Sequence, residues 1–360
     1  MKARIVIILY MGFIANIAYG QQQIASEQQA ARLEKYISKM EAKGFSGSVL
    51  VATQGSKILS KGYGNANIET KTKNTNNTIF DIGSVSKQFT AAGILTLEMQ
   101  GRISTDDKIV KYIEGVPPVC EAITIHHLLT HSAGLPDAIG NDYEQISEEN
   151  FLKAAFSRIK KDHIGTRHEY SNVGYTILAL IIEKISGQNY ENYLRKNLFL
   201  PADMQQTGYV LPQWNTKHVA MGYAKKEPWG TPLDQNWDTE GPYLHLKGNG
   251  GILSTVEDLY KWHLALLNDR ILSSQAKKKY YGKHIKEEED GDSYYGYGWA
   301  IFPTRRNTQL ITHNGGNGIF FADFWRYLTE DITIIVLANK SDEKSEDMAV
   351  NLARILLAKN

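Results

Sequence analysis

The chain carries helical periodicity at its start, strand-like alternation just after it, helix through its middle and strand again near its end. "ASEQQAARLEKYISKMEAKG" places Leu33, Tyr36, Ile37 and Met40 at spacings of three and four, which predicts an amphipathic helix closing at Gly44. "SGSVLVAT" and "SKILSKGYG" then read as two strands joined at Gln54-Gly55, a hairpin. From Ser84 a helical run sets Val85, Phe89, Ala92 and Leu95 or Thr96 on one side, with Gly101 suited to its C-terminal cap. "EENFLKAAFSRIKK" and "GYTILALIIEKISG" predict two further helices, the second ending at Gly187. "STVEDLYKWHLALLND" opens on a capping box, Ser254 followed three residues later by Glu257. "YYGYGWAIF", "TQLITHNG", "NGIFFADFWRY" and "DITIIVLAN" are rich in aromatic and β-branched residues and read as strands. "SEDMAVNLARILLAKN" closes the chain as a helix.

Strands at both ends with helices between them predict a mixed α/β (α+β) fold. One antiparallel sheet is assembled from both termini and flanked by the terminal helices, with a mainly helical region inserted. The α/β part is expected over residues 29–82 and 245–360, and the helical part over 84–240. Residues 1–20 read as a signal peptide. Lys2 and Arg4 precede an apolar run, Ile5 to Ala18, that is shorter than the roughly 20 residues of a membrane span. Ala18-Tyr19-Gly20 then offers small residues for cleavage, so an exported protein, periplasmic or secreted, is expected, with residues 21–360 as a single domain. "KEEED", Lys286 to Asp290, reads as a solvated loop.

Composition narrows the picture only slightly. Forty basic residues against 39 acidic ones leave a net charge of +1, which gives no reason to expect nucleic acid as a partner. Cys120 is the single cysteine, so no intramolecular disulfide forms, and its setting suits a small buried hydrophobe. His126, His127 and His131 stand close together. However, "HHLLTH" lacks the glutamate of a His-Glu-x-x-His zinc motif and an evident third ligand. It reads as a helix end followed by the loop "THSAGLP"; no metal and no cofactor are expected.

The chemistry-bearing residues begin at "FDIGSVSKQFTA". On a helix Ser84 and Lys87 lie one turn apart, whereas the adjacent Ser86 and Lys87 point about 100° apart, a poor arrangement for proton transfer. Of the two serines, Ser84 is therefore the better-placed nucleophile, with Lys87 as a base if burial lowers its pKa. The same residues also read as a serine capping a helix. In "GTRHEYSNVGY", Tyr170 and Asn172 stand two apart before a helix, able to enter one site, or else a packing tyrosine before an N-cap asparagine. In "LITHNGGNGIFFADF", His313, Asn314, Gly315 and Gly316 form either a substrate-facing strand edge or an Asn-Gly hairpin turn.

Taken in order, Ser-x-x-Lys, Tyr-x-Asn and His-x-Gly-Gly resemble the three motifs of the serine penicillin-recognising superfamily. That group spans class C β-lactamases, D-alanyl-D-alanine carboxypeptidases and related esterases and D-aminopeptidases. "LLTHSAGLP" and "GNGGILSTVEDLYKW" also resemble family segments, so the likeness runs from Gly47 to Asn339. It implies a β-lactamase/transpeptidase-like fold with the site in a cleft beside the helical region. It further implies Ser84 as nucleophile, Lys87 and Tyr170 sharing the general-base and general-acid work, either one taking the first proton, and Asn172 orienting Lys87 and the substrate amide. His313, Asn314 and Gly315 would bind substrate, and the backbone N–H groups of Ser84 and Gly316 would form the oxyanion hole. A histidine, partly charged near neutral pH, stands where class C enzymes usually carry lysine. The expected activity is thus that of a D,D-carboxypeptidase or D-amino-acid peptidase or esterase, acting on a small-molecule or peptide substrate. A true β-lactamase and a non-enzymatic penicillin-binding sensor are the alternatives.

Overall fold

The computed structural model describes residues 26–225, 227–237 and 241–358; the signal-peptide expectation falls on residues outside these. Helix α1 covers residues 26–42 and is followed by Gly44 in a left-handed conformation, φ 103°. Strands β1 (Gly47–Thr53) and β2 (Ser56–Tyr63) form the expected hairpin. Its turn residues Gln54 and Gly55 both have positive φ, the conformation that suits the twist of paired strands.

The remaining strands of the main sheet come from the far end of the chain. They are β3 (Ile285–Lys286), β4 (Tyr294–Tyr295), β5 (Ala300–Pro303), β6 (Gln309–Gly316), β7 (Phe321–Tyr327) and β8 (Ile332–Ala338). The order across the sheet is β2-β1-β8-β7-β6-β5-β4-β3, antiparallel throughout. β1 pairs with β8 from Gly47 opposite Ala338 to Thr53 opposite Ile332, which joins the two ends of the chain.

Side chains alternate between the sheet's faces. Val49, Val51, Ile334 and Val336 pack with Leu33 and Ile37 of α1 and with Met348 and Leu352 of the closing helix α5 (Met348–Leu357). Leu50, Ala52, Ile335 and Leu337 face the other way, toward Trp262 of α4 (Val256–Leu267) and the helical region. Both faces are covered, which is why these strands read as almost continuously apolar.

Three local expectations change, and the two readings of His313–Gly316 resolve to one. Helix α2 (Lys87–Met99) is buried from Lys87 to Leu97 on every side, not along one stripe. Its polar positions are absorbed by hydrogen bonds: Thr90 with Tyr190 at 2.5 Å and Thr96 with Tyr193 at 2.8 Å. α4 is capped by Thr255, not Ser254, because Ser254 is held extended in a short ladder opposite Phe80. Glu257 instead reaches Lys57 at 2.7 Å and Ser60 at 2.6 Å, tying α4 to β2. His313–Gly316 stay within strand β6, and the turn falls on Asn317-Gly318. "KEEED" is not wholly solvated: Lys286 belongs to β3, and half-buried Glu287 lines a cleft.

Candidate active site

Ser84 is placed by its neighbours on both sides. Phe80 and Asp81 pair with Leu253 and Ser254, and the Asp81 carboxylate accepts from the Gly83 N–H at 2.7 Å and the Asn317 amide at 3.1 Å. The chain then makes a single tight helical turn, Gly83–Ser86, before α2 begins at Lys87. Neither Ser84 nor Ser86 caps that helix with its side chain; the Ser86 hydroxyl accepts from Ile252 N at 3.3 Å. The capping alternative for Ser84 therefore fails.

Two glycines let strand β6 run directly against this turn. A methyl group on Gly83 (φ 49°) would stand 2.6 Å from the Gly316 nitrogen, and one on Gly315 would stand 2.6 Å from the Ser84 nitrogen. The two backbone nitrogens expected to face an oxyanion thus belong to segments in direct contact. The pairing of β5 with β6 ends at Ala300 opposite Thr312, so from His313 onward β6 is paired only with β7.

Lys87 is completely buried, and its ammonium nitrogen meets three oxygens: Ser84 Oγ at 3.0 Å, Asn172 Oδ1 at 2.7 Å and the Asn249 carbonyl at 2.7 Å. Burial lowers its pKa to about 7, against the pull of Asp137 and Asp142. The partners decide what a neutral amine does there. Asn172 Oδ1 and the Asn249 carbonyl can only accept, so they take its two N–H bonds. The lone pair is left facing the one partner that can give a proton, Ser84.

Asn172 is held for this contact. The adjacent Ser171 caps helix α3 (Asn172–Ser186), accepting from Gly174 N at 3.0 Å, so the asparagine is not the cap. Asn172 Nδ2 donates to Asp137 at 2.9 Å, which turns Oδ1 toward Lys87. Tyr170 lies with its ring 4.7 Å from Lys87 Nζ and its hydroxyl interacting with Ser84; burial pushes that hydroxyl well above the usual tyrosine range. His131, read from sequence as part of a loop, grips the backbone on both sides of Tyr170. Its carbonyl accepts from Glu169 N at 2.7 Å, its Nδ1 from Ser171 N at 3.0 Å, and its ring lies 4.2 Å from the tyrosine ring. A positive φ of 56° aims both groups at that segment.

His313 differs from expectation. It is 5% exposed, and burial beside Lys87 lowers its pKa to about 3, so it is neutral rather than partly charged. Nδ1–H points at the Asn314 carbonyl at 2.6 Å, and Nε2 accepts from the Tyr295 hydroxyl at 2.9 Å. Asn314 is exposed on the opposite face of the strand. Tyr170, His313, Asn314, Gly315 and Gly316 all line one cleft of about 740 Å³, with Tyr295 and Glu287.

A family model described as Beta-lactamase matches residues 33–359. The chain belongs to the beta-lactamase family. Among curated relatives of this family member, Penicillin-binding protein 4* of Bacillus subtilis (strain 168) is 30% identical over 324 residues, 85% of this chain and 70% of that one. Protein flp of Staphylococcus aureus (strain NCTC 8325 / PS 47) is 28% identical over 311 residues. That match covers 82% of this chain but only 60% of flp. The octameric penicillin-binding protein homologue from Pyrococcus abyssi superposes with a TM-score of 0.77 at 31% identity, covering 92% of this chain and 78% of that one. The beta-lactamase-family fold thus accounts for the sheet, the helical region and the cleft between them.

Several of the groups that shape this site were not singled out in the sequence. Asp81, Asp137 and the Asn249 carbonyl hold the Ser84 turn, Asn172 and Lys87. Tyr295 hydrogen-bonds the His313 ring at Nε2. Asp81 and Asn249 do fall inside "FDIGSVSK" and "GNGGIL", whose likeness to family segments was the available signal. His126 and His127, by contrast, have structural partners: His126 Nδ1 with the Tyr297 hydroxyl at 2.7 Å, and His127 in a reciprocal cap with Thr124.

Proposed function

We propose that this chain is an exported serine hydrolase that acts through an acyl-enzyme on Ser84, with D-amino-acid peptides or small esters as substrates. The observation that carries this reading is the buried Lys87, its pKa lowered to about 7 by burial and its amine aimed by two obligate acceptors so that the lone pair of its neutral form faces Ser84 Oγ. Lys87 takes the serine proton as Oγ attacks the carbonyl carbon. The N–H groups of Ser84 and Gly316 receive the negative charge on the carbonyl oxygen. Tyr170, in contact with Ser84 and Lys87, returns a proton to the departing atom. Water then attacks the acyl group by the reverse proton path. Export rests on the Lys2-to-Gly20 pattern alone.

The test is turnover of a chromogenic ester and a D-Ala-D-Ala peptide by the protein and by Ser84→Ala. Turnover that is abolished in Ser84→Ala supports the reading, and turnover unchanged in that variant removes Ser84 from the mechanism. The names of the relatives favour a second reading, penicillin binding with slow release. Intact-mass measurement after incubation with a β-lactam separates the two, since a persistent adduct without turnover marks a sensor.

A further inference from the structure

The charges around the reacting atoms are arranged against a carboxylate. On the Tyr170 and His313 side of the cleft the lining acid is Glu287, and no described lysine or arginine lines the cleft. The groups acting on Lys87 and Tyr170 are likewise acidic: Asp137 and Asp142 on the lysine, Asp137 and Glu287 on the tyrosine. His313 offers no compensating cation. Both its ring nitrogens are engaged, one toward the Asn314 carbonyl and one by the Tyr295 hydroxyl.

The side of the cleft follows from the chemistry. Tyr170 protonates the departing atom, so the leaving group lies beside Tyr170, and Glu287 is the acid whose field reaches both Tyr170 and Tyr295. A leaving group ending in carboxylate, such as D-alanine, would meet Glu287 and a neutral histidine. One ending in an ammonium would pair with Glu287.

We infer that the preferred substrate is an ester or amide whose leaving group carries a cationic ammonium, and that Glu287 is the residue setting this preference. The inference rests on the acyl-enzyme reading of Ser84. The step is an ordinary acyl transfer. The Ser84 Oγ–carbon bond forms, and the bond from that carbon to the leaving oxygen or nitrogen breaks. The serine proton, relayed by Lys87 and Tyr170, ends on the leaving atom. Water later restores Ser84.

Three esters of one N-acyl-D-alanine test it: the choline ester, its neutral carbon isostere, and the ester of β-hydroxypropionate. We expect kcat/KM to fall in that order, with the choline ester ahead of the anionic one by about tenfold or more, and the ratio to shrink as salt is added. In Glu287→Gln the same ratio falls several-fold; being internal to one preparation, it is insensitive to how much of the variant folds. Equal or faster turnover of the anionic ester, or a ratio unchanged in Glu287→Gln, overturns the inference. Neutral-ester turnover that disappears in Ser84→Ala, with no charge preference, overturns this inference alone. Absence of turnover on all three esters overturns both it and the acyl-enzyme reading.

Discussion

Among the described residues two cationic side chains, Lys87 and Arg326, are completely buried, and they do opposite things. Among the described residues neither donates to a carboxylate. Lys87 meets three oxygens, one of them a hydroxyl with a proton to give. Arg326, on β7, lies 5.2 Å from the Tyr281 ring centre and 5.4 Å from that of Trp299. It donates to the Tyr281 hydroxyl and to His263 Nδ1, whose pKa burial and the arginine lower to about 3. A buried amine can shed its proton near neutral pH, but a guanidinium cannot. Burying lysine therefore creates a base, whereas burying arginine among aromatic faces creates a fixed charge that orders its surroundings.

The sharpest way to break the contrast is to remove the base. Lys87→Ala and Lys87→Arg are both expected to slow acylation by roughly 10³-fold or more, the arginine because it keeps a charge but offers no lone pair. Burst kinetics with a chromogenic ester measure this. Arg326→Ala should show the reverse pattern. Stability falls by about 3 kcal/mol, read by denaturant unfolding, while kcat of the folded fraction stays within a few-fold.

The contrast sharpens with pH. Because the Lys87 pKa is lowered from 10.5 to about 7, acylation rises as pH increases through about 7. The sign for stability is the same. Between about 7 and 10.5 the unfolded chain holds a proton that the folded one lacks, so this group adds stability as pH rises. Asp81, raised to about 7, and Asp323, raised to about 8, work the other way, losing stability as pH climbs from the ordinary carboxylate range to those values. Asn172→Asp puts a carboxylate where Oδ1 now lies 2.7 Å from Lys87, and should move the acid limb of kcat/KM up by about one to two units.

The smallest expected effect belongs to His131, a positioning residue. His131→Ala should lower kcat by about tenfold with little change in KM, because Tyr170 loses its ring support and Ser171 N its acceptor. His131→Asn should recover part of that loss, since asparagine tolerates positive φ and carries an acceptor. An equal fall in both variants, matched by lost thermal stability, would reassign His131 to folding alone.

The legible part of the site was the part written in short spacings. Ser84 with Lys87, and Tyr170 with Asn172, are three and two residues apart, and local geometry alone brings each pair together. The sheet was legible for a similar reason, since strands buried on both faces leave apolar runs at both ends of the chain. The rest depended on distant partners. The Asn249 carbonyl carries no side-chain signature, and the charge of His313 is set by burial and by Lys87. Ser171 and Asn172 are neighbouring cap-forming residues, and distant partners, Pro136 for Ser171 and Asp137 for Asn172, place the two side chains. The all-round burial of α2 was hidden by Thr90 and Thr96, polar in sequence yet satisfied by tyrosines from elsewhere.

The contact between Gly83 and Gly315 also has a consequence for the life history of the molecule. A ribosome finishes Ser84 and Lys87 long before it reaches strand β6, and domains generally complete themselves only when their distant strands arrive. Under the proposed mechanism the serine has half its oxyanion hole, and the cleft no second wall, until Gly315 and Gly316 dock against the turn. On that mechanism reactivity arrives last, with the closing of the sheet. An acylating probe used on this protein during refolding would count finished molecules rather than merely collapsed ones.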